Sequence, residues 1–125
     1  MTATETALDR YITFMGRAAH DTALLDDLSS IFAVDATVAM GTPEVVAGLD
    51  AITEFYRGFY AGAGDSKHFW TTTVLDDGTL KAHFIVAGRN PDGSLMARSG
   101  IEHATVNDDG LITSLTVTFT GALDN

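Results

Sequence analysis

The spacing of apolar residues changes near Gly64, and this change constrains the fold more than any other feature of the chain. Before Gly64, apolar side chains recur every three or four residues, which is the spacing of an amphipathic helix. After it they alternate, which is the spacing of a half-buried strand. Three turn signals, Asp76-Asp77-Gly78, Asn90-Pro91-Asp92-Gly93 and Asp108-Asp109-Gly110, predict strands near 67–75, 79–89, 94–107 and 111–120.

The first half of the chain predicts three helices and one short hairpin. Helix boundaries follow from capping residues at the start and glycines at the end. The predicted elements are a helix from about Ala3 to Ala19 behind a Thr2-x-x-Glu5 capping box, a helix from Asp21 to near Ala33, a hairpin of residues 36–40 and 45–46, and a helix between Gly48 and Gly62.

Helices that precede strands along the chain predict an α+β fold, with three N-terminal helices packed on one face of an antiparallel sheet. The length of 125 residues suits one domain, so we expect residues 1–125 to form a single unit. The other face of the sheet is rich in β-branched residues, which suits contact with a second subunit. We therefore expect a homodimer through the face that carries Thr71, Thr73, Ile101, Thr105, Thr116 and Thr118.

Composition removes several classes of function. Seven basic against seventeen acidic residues give a net charge of −10, and such a surface repels nucleic acid and anionic lipid headgroups. No apolar run approaches the roughly 18 residues of a membrane span, and the absence of cysteine fits a reducing cytoplasm. Metal-ligand spacings, phosphate-binding glycine loops and dinucleotide fingerprints are missing, so we expect no metal and no cofactor.

Several local strings resemble the nuclear-transport-factor-2-like superfamily, and within it the group of ketosteroid isomerases and SnoaL-like polyketide cyclases. They are Phe32-Ala-Val-Asp-Ala-Thr-Val38, Gly48-Leu-Asp-Ala-Ile-Thr-Glu-Phe-Tyr56, Ile101-Glu102-His103 and Asp109-Gly110-Leu-Ile-Thr-Ser-Leu115. The resemblance implies a cone in which a curved sheet and three helices enclose a pocket for a small apolar ligand. The candidate lining residues are Met40, Phe55, Tyr56, Phe59, Trp70, Ile85, Leu115, Val117 and Phe119.

The resemblance also implies roles for single residues. Ketosteroid isomerases use a carboxylate as the proton shuttle, and a Tyr and a protonated Asp donate hydrogen bonds to the enolate oxygen. Glu102 matches the position of the protonated acid, Tyr11 lies near that of the donor Tyr, and Tyr56 matches a supporting Tyr. Met40 occupies the position of the base, and a thioether cannot abstract a proton.

Histidines are the remaining candidates for acid–base chemistry. His68 begins a strand in the string Lys67-His68-Phe69-Trp70, which resembles the setting of a catalytic His in scytalone-dehydratase-like relatives. For His83 the alignment with isomerases predicts an inward side chain, whereas the alternation of apolar residues predicts an outward one. His103 is adjacent to Glu102, so the two must point to opposite faces of the sheet.

These residues predict a cofactor-independent acid–base enzyme of the isomerase, dehydratase or cyclase type, acting on a small, largely apolar carbonyl compound. The alternative is a ligand-binding or assembly subunit without catalysis, which the missing base at Met40 favours. We expect Glu102 to lie in the pocket, with the neutral carboxyl stabilised by apolar neighbours such as Met40 and Trp70. An inward Arg98 on the same strand face would oppose this.

Overall fold

A computed structural model describes residues 5–61 and 64–124. Within these ranges the chain forms two α-helices, one 3-10 helix and six strands. They are α1 (Ala7–Ala18), the 3-10 helix (Thr22–Ser30), β1 (Phe32–Met40), β2 (Val46–Ala47), α2 (Leu49–Tyr60), β3 (Asp65–Val74), β4 (Leu80–Arg89), β5 (Leu95–Val106) and β6 (Ile112–Asp124). The predicted α+β class and the order of elements are confirmed.

The helix boundaries differ from those predicted. The expected capping box at Thr2 lies outside the described residues, and α1 begins at Ala7 behind a box formed by Thr6 and Asp9. The second helix has 3-10 geometry and ends at Ser30. It is interrupted at Asp27, which leaves the helical conformation and whose carbonyl accepts a hydrogen bond from the Ser30 hydroxyl at 2.8 Å. Short polar side chains favour such local bonds over a regular helix.

The strands form one sheet in the order β2-β1-β6-β5-β4-β3. Strands β3 to β6 pair antiparallel in sequence, and β1 pairs antiparallel with β2 as expected for the hairpin. The sheet is nevertheless mixed and not antiparallel throughout, because β1 runs parallel to β6, with Val38 opposite Leu115. Alternation along a strand specifies which face is buried, but it does not specify the direction of the partner strand.

The inner face of the curved sheet packs against the helices. On β4 the side chains of Ala82, Phe84 and Val86 are buried, whereas those of His83 and Ile85 are exposed on the outer face. The helices contribute Leu8, Tyr11, Ile12, Met15, Ile52 and Tyr56 to the same core. In the described part of the chain, no helix is both long and apolar enough to cross a membrane.

Asp9 joins the start of α1 to β3. Its Oδ1 accepts hydrogen bonds from the Trp70 indole at 2.9 Å and the Thr72 hydroxyl at 2.6 Å, while its Oδ2 accepts from the backbone and hydroxyl of Thr6, both at 2.9 Å. Partial burial opposes ionisation of this carboxyl. The hydrogen bonds from Thr72, Thr6 and Trp70 outweigh that effect and hold the pKa of Asp9 below its ordinary value.

We expect Asp9→Ala to lower the free energy of unfolding by roughly 2 kcal/mol at pH 7, since it removes the Asp9 half of the capping box and leaves a partly buried indole N–H without its acceptor. Because the pKa of Asp9 is lowered by folding, its ionic contribution is present above the unfolded pKa and is lost as the pH falls through the folded pKa. Urea denaturation at pH 7 and pH 2.5 measures both effects.

The control for this experiment is Asp35→Ala, which removes an exposed carboxylate on β1. The difference between wild type and Asp9→Ala should shrink at the acidic pH, whereas the control should change little at either pH. An Asp9→Ala difference that keeps its full size at pH 2.5 would show that the ionised carboxylate is not what stabilises this junction.

Candidate functional site

A cavity of about 490 Å³ lies between α1, the C-terminal part of α2 and the inner face of the sheet. Most of its wall is apolar, and a few titratable side chains reach into it. The apolar wall includes Ile12, Met15, Met40, Phe59, Phe84, Val86, Met96, Val117 and Phe119. The polar lining includes Tyr11, Tyr60, His68, Arg89, Arg98 and Glu102.

Glu102 is the charged residue that the fold buries most deeply among the described residues, with 4% of its surface exposed. It lies on the inner face of β5, and the sheet register places it between Ala82 on β4 and Val117 on β6. Burial disfavours the carboxylate and raises the pKa of Glu102 to about 7. The neutral and ionised forms are therefore both populated near neutral pH.

Two buried phenols meet near this carboxyl. The hydroxyl oxygens of Tyr11 on α1 and Tyr56 on α2 are 2.6 Å apart and form a hydrogen bond. Burial raises the pKa of both groups well above the ordinary value, and the charge of Glu102 contributes to the shift in each. Burial and Glu102 also raise the pKa of Tyr60. All three phenols are therefore hydrogen-bond donors at neutral pH.

The ring of Phe32 holds the two phenols in place. Its centroid is 5.7 Å from that of Tyr11 in an edge-to-face contact and 6.5 Å from that of Tyr56 in a stacked contact. Tyr56 also contacts Phe55 edge-to-face at 5.2 Å. Such contacts restrict ring orientation, so the Tyr11 hydroxyl reaches the cavity in one direction.

His68 lies on the inner face of β3 and lines the same cavity. Its ring centroid is 6.2 Å from that of Phe84. Burial lowers the pKa of His68, because the imidazolium loses hydration there. The imidazole is therefore neutral at pH 7 and can accept a proton.

The structure contradicts the inward orientation that alignment with isomerases predicts for His83. This side chain is exposed on the outer face, where it lies opposite Thr71 and Ile101 in the sheet register. Ile85 shares that face with 55% of its surface exposed, so it does not line the cavity. The reason is the strict alternation of β4, in which Ala82 and Phe84 take the inner positions.

The other predicted lining residues divide into two sets. Met40, Phe59, Val117 and Phe119 line the cavity. The second set lies in the surrounding core instead: Leu115 is 1% exposed, Tyr56 is fully buried behind Tyr11, and the Trp70 indole is bound to Asp9. Phe55 packs against Tyr56 and Phe59. Phe55, Tyr56, Trp70 and Leu115 are thus supporting residues and not lining residues.

Sequence reasoning missed two lining residues on α1 that a simple signal would have found. Ile12 and Met15 lie on the same helical stripe as Tyr11, one turn apart, and both reach the cavity.

Arg98 lines the cavity as well, yet it does not prevent the raised pKa of Glu102. The two residues are four positions apart on one strand, so their Cα atoms are separated by about 13 Å.

In residues 5–61 and 64–124, no cluster of three or more histidine or acidic side chains is arranged to hold a metal ion. The chemistry available from the described side chains is proton transfer by a carboxyl and an imidazole, and hydrogen bonding by phenols and guanidinium groups.

Solved structures with the same fold cover nearly the whole chain. An NTF2-like protein of unknown function from Exiguobacterium sp. 255-15 is 29% identical, with a TM-score of 0.80 over 92% of this chain and 98% of that one. An epoxide hydrolase/cyclase-like enzyme of pyran ring formation in polyether salinomycin is 15% identical, with a TM-score of 0.71 over 91% and 90%. A Mycobacterium tuberculosis protein in complex with estradiol-17beta-hemisuccinate is 14% identical, with a TM-score of 0.71 over 92% and 95%.

Sequence comparison gives the family. Among curated proteins, no sequence matches the chain. The profile of the SnoaL-like domain matches residues 8–115, from the second residue of α1 to the fourth residue of β6. The chain therefore belongs to the SnoaL-like domain family, within the NTF2-like fold.

Proposed function

We propose that this protein is a cofactor-independent acid–base enzyme of the isomerase, dehydratase or cyclase type, acting on a small, largely apolar carbonyl compound. One observation carries the proposal: a buried carboxyl with a pKa of about 7 lies beside a hydrogen-bonded pair of phenols in an apolar cavity of about 490 Å³. A titratable group in a cleft whose pKa is shifted to the working pH is typical of proton-transfer sites.

In the proposed reaction, the Glu102 carboxylate removes a proton from the carbon next to the carbonyl group. Tyr11 donates a hydrogen bond to the oxygen as negative charge develops there. This step uses the Tyr11–Tyr56 hydrogen bond, in which either hydroxyl can be the donor, with Tyr56 donating to Tyr11 and so strengthening the bond to the oxygen. Glu102 then returns the proton to the new position. Met40 lines the cavity but has no basic atom, which is why we assign proton transfer to Glu102.

His68 is the second proton-transfer group in the proposal. It lies on β3, whereas Glu102 lies on β5, so the two groups approach a bound molecule from different sides. Dehydration requires a proton for the leaving hydroxyl, and a cyclisation requires one for the new alcohol. In a dehydration, the neutral imidazole can therefore take the proton from carbon, while the protonated form of Glu102 gives its proton to the leaving hydroxyl, which departs as water.

Relatives support the class of ligand. The structural neighbours include a cyclase-like enzyme and a protein in complex with estradiol-17beta-hemisuccinate. A cavity of this volume with Met15, Phe84 and Val117 in its wall suits a compact apolar molecule of that kind. These similarities support a small organic ligand.

The alternative function is ligand binding without catalysis, and Met40 is the observation that favours it. A cone filled by its own side chains would favour an assembly subunit, but the cavity between α1 and the sheet is open. An experiment must therefore distinguish binding from catalysis, and a substitution of Glu102 can do so.

We expect Glu102→Gln to reduce the rate of proton exchange by roughly 100-fold or more, since the amide cannot accept the proton. Exchange of hydrogen for deuterium next to the carbonyl of 2-decalone and androst-5-ene-3,17-dione can be followed by NMR. Because the base must be ionised, kcat/KM of the wild type should rise with pH through about 7 and then level off.

Glu44→Gln is the matched control, because it removes an exposed carboxylate outside the cavity. Thermal melts monitored by circular dichroism show whether each variant is folded. Wild-type binding of these ketones without any exchange above the control reaction would favour the binding function. If the exchange rate is unchanged in Glu102→Gln, Glu102 is not the base. The proton is then transferred by His68 or outside this cavity.

We also propose that the protein is a homodimer through the outer face of the sheet. Phe69 and Ile85 are 60% and 55% exposed and lie directly opposite each other on β3 and β4, with Ile101 on the neighbouring strand. Adjacent exposed apolar side chains on a sheet face are typical of a subunit interface.

A cytoplasmic location stays a prediction from the cysteine-free composition.

Light scattering after size-exclusion chromatography should give twice the monomer mass for the wild type at micromolar concentration. Ile85→Lys should shift the protein to the monomer mass, since it places a charge in the apolar patch. Val45→Lys is the control, because Val45 is 60% exposed but precedes β2, away from the patch. A wild type that elutes as a monomer would exclude the dimer without affecting the fold.

A further inference from the structure

The wall of the cavity changes where β1 ends. Strand β1 pairs with β6 as far as Met40, which lies opposite Val117. Strand β6 continues to Asp124, and no described strand pairs with this edge of β6 beyond Val117. A side chain must therefore cover the cavity beside this part of β6. The first inward side chain along the stretch is that of Phe119.

The ring of Phe119 covers this part of the wall. It lies against the backbone of Gly41, directly after β1, where a Cβ atom would be 2.6 Å from the ring. It also contacts Phe84 edge-to-face, with 6.1 Å between the ring centroids. Gly41 has a φ of +73°, a conformation that other residues rarely adopt, so both the space and the backbone favour glycine there.

An irregularity of β6 sets the direction of the Phe119 side chain. Phe119 lies opposite Gly100 on β5. The next pair is Gly121 with Ser99, so Thr120 is an extra residue in β6. Such a bulge bends the strand and changes the direction of the side chains beside it, and bulges are common next to functional sites. The fold thus directs one large aromatic ring at the end of β1.

Phe119 also borders a second, smaller space. This groove has a volume of about 310 Å³ and lies beside the turn that follows β1. Val117 and Phe119 line both the groove and the main cavity, so they separate the two spaces. Val117 is 4% exposed and belongs to the core, whereas Phe119 is 43% exposed. The remaining residues that line the groove are Ala39, Gly41, Thr42, Pro43, Thr116 and Thr118.

A ligand held at Glu102 would meet this partition. Glu102 lies opposite Val117 on β6. Phe119 is the next inward residue of that strand, about 7 Å farther along between Cα atoms. A substituent that extends from the carboxyl toward the end of β1 therefore ends at the Phe119 ring, and the groove lies directly behind that ring.

We propose that Phe119 determines the size of the ligand that this cavity accepts, because its ring closes the cavity where β1 ends and keeps the ligand out of the groove beside residues 41–43. The ligand class is thus a compact ketone without a long chain on that side. The inference rests on the proposed function only in that the cavity binds a ketone. It requires no catalysis.

Calorimetric titration with 4-alkylcyclohexanones, from the methyl to the octyl compound, tests the proposal. Each CH₂ group that is buried should raise the affinity roughly fourfold. For the wild type we expect this gain to stop at the chain length that Phe119 permits. In Phe119→Ala the gain should continue for two or more further CH₂ groups, so the longest ketones should bind roughly tenfold or more tightly to the variant than to the wild type. The shortest ketones should gain nothing, because they lose the contact with the ring.

Phe59→Ala is the matched control. Phe59 is a half-exposed phenylalanine that lines the same cavity from α2, but it does not border the groove. Its removal opens the cavity to solvent, so the limiting chain length should stay as in the wild type. Circular dichroism shows whether each variant is folded. Phe119→Leu should give an intermediate limit, and it decides the outcome if Phe119→Ala does not fold. Because the groove adjoins the outer face proposed for the dimer, light scattering checks that each variant keeps the wild-type mass.

Three results would overturn the proposal: the same limiting chain length in the wild type and in Phe119→Ala, an equal shift of that limit in Phe59→Ala, or no binding of any ketone in the series. Hydrogen exchange next to the carbonyl of the same ketones separates this inference from the proposed function. Exchange by the wild type with an unchanged limit in Phe119→Ala would leave the proposed function standing alone. A shifted limit without any exchange would leave only the selection of ligand size by Phe119.

Discussion

The burial of the Glu102 carboxyl is the physical constraint on which the chemistry of this molecule depends. The inner face of β5 places it between Ala82 and Val117, where water cannot stabilise its charge, and its pKa rises to about 7. The same exclusion of water keeps Tyr11 and Tyr56 protonated. Burial therefore explains both a carboxyl that can gain or lose a proton near neutral pH and a pair of phenols that can donate hydrogen bonds.

This arrangement depends on how α1 is held against the sheet. Asp9 binds Trp70 and Thr72 on β3, and two residues later on the same helix Tyr11 meets Tyr56 on α2. Phe32 at the start of β1 contacts both phenols. The residues that stabilise the fold are thus direct neighbours of those proposed for the reaction, so the scaffold orients the Tyr11 hydroxyl before any ligand binds.

The charges of the cavity differ from those of the surface. The chain carries a net charge of −10, yet Arg89 and Arg98 line the cavity while Glu102 occupies its other end. Arg98 and Glu102 are four positions apart on β5, about 13 Å between Cα atoms, and burial is the cause of the raised pKa of Glu102. A site with two different polar ends can orient a ligand as well as enclose it.

Periodicity by itself determined the α+β class, the turns between the long strands and the opposite orientations of Glu102 and His103, because alternation along a strand is a local property. Alternation also predicted that His83 lies on the outer face, as the structure shows, whereas alignment with isomerases predicted an inward side chain. Only the tertiary structure decided that β1 runs parallel to β6, that Trp70 binds Asp9, and that Arg98 lines the cavity without lowering the pKa of Glu102. Those features depend on contacts between residues distant in the chain and on the depth of burial, which the local pattern of residues does not encode.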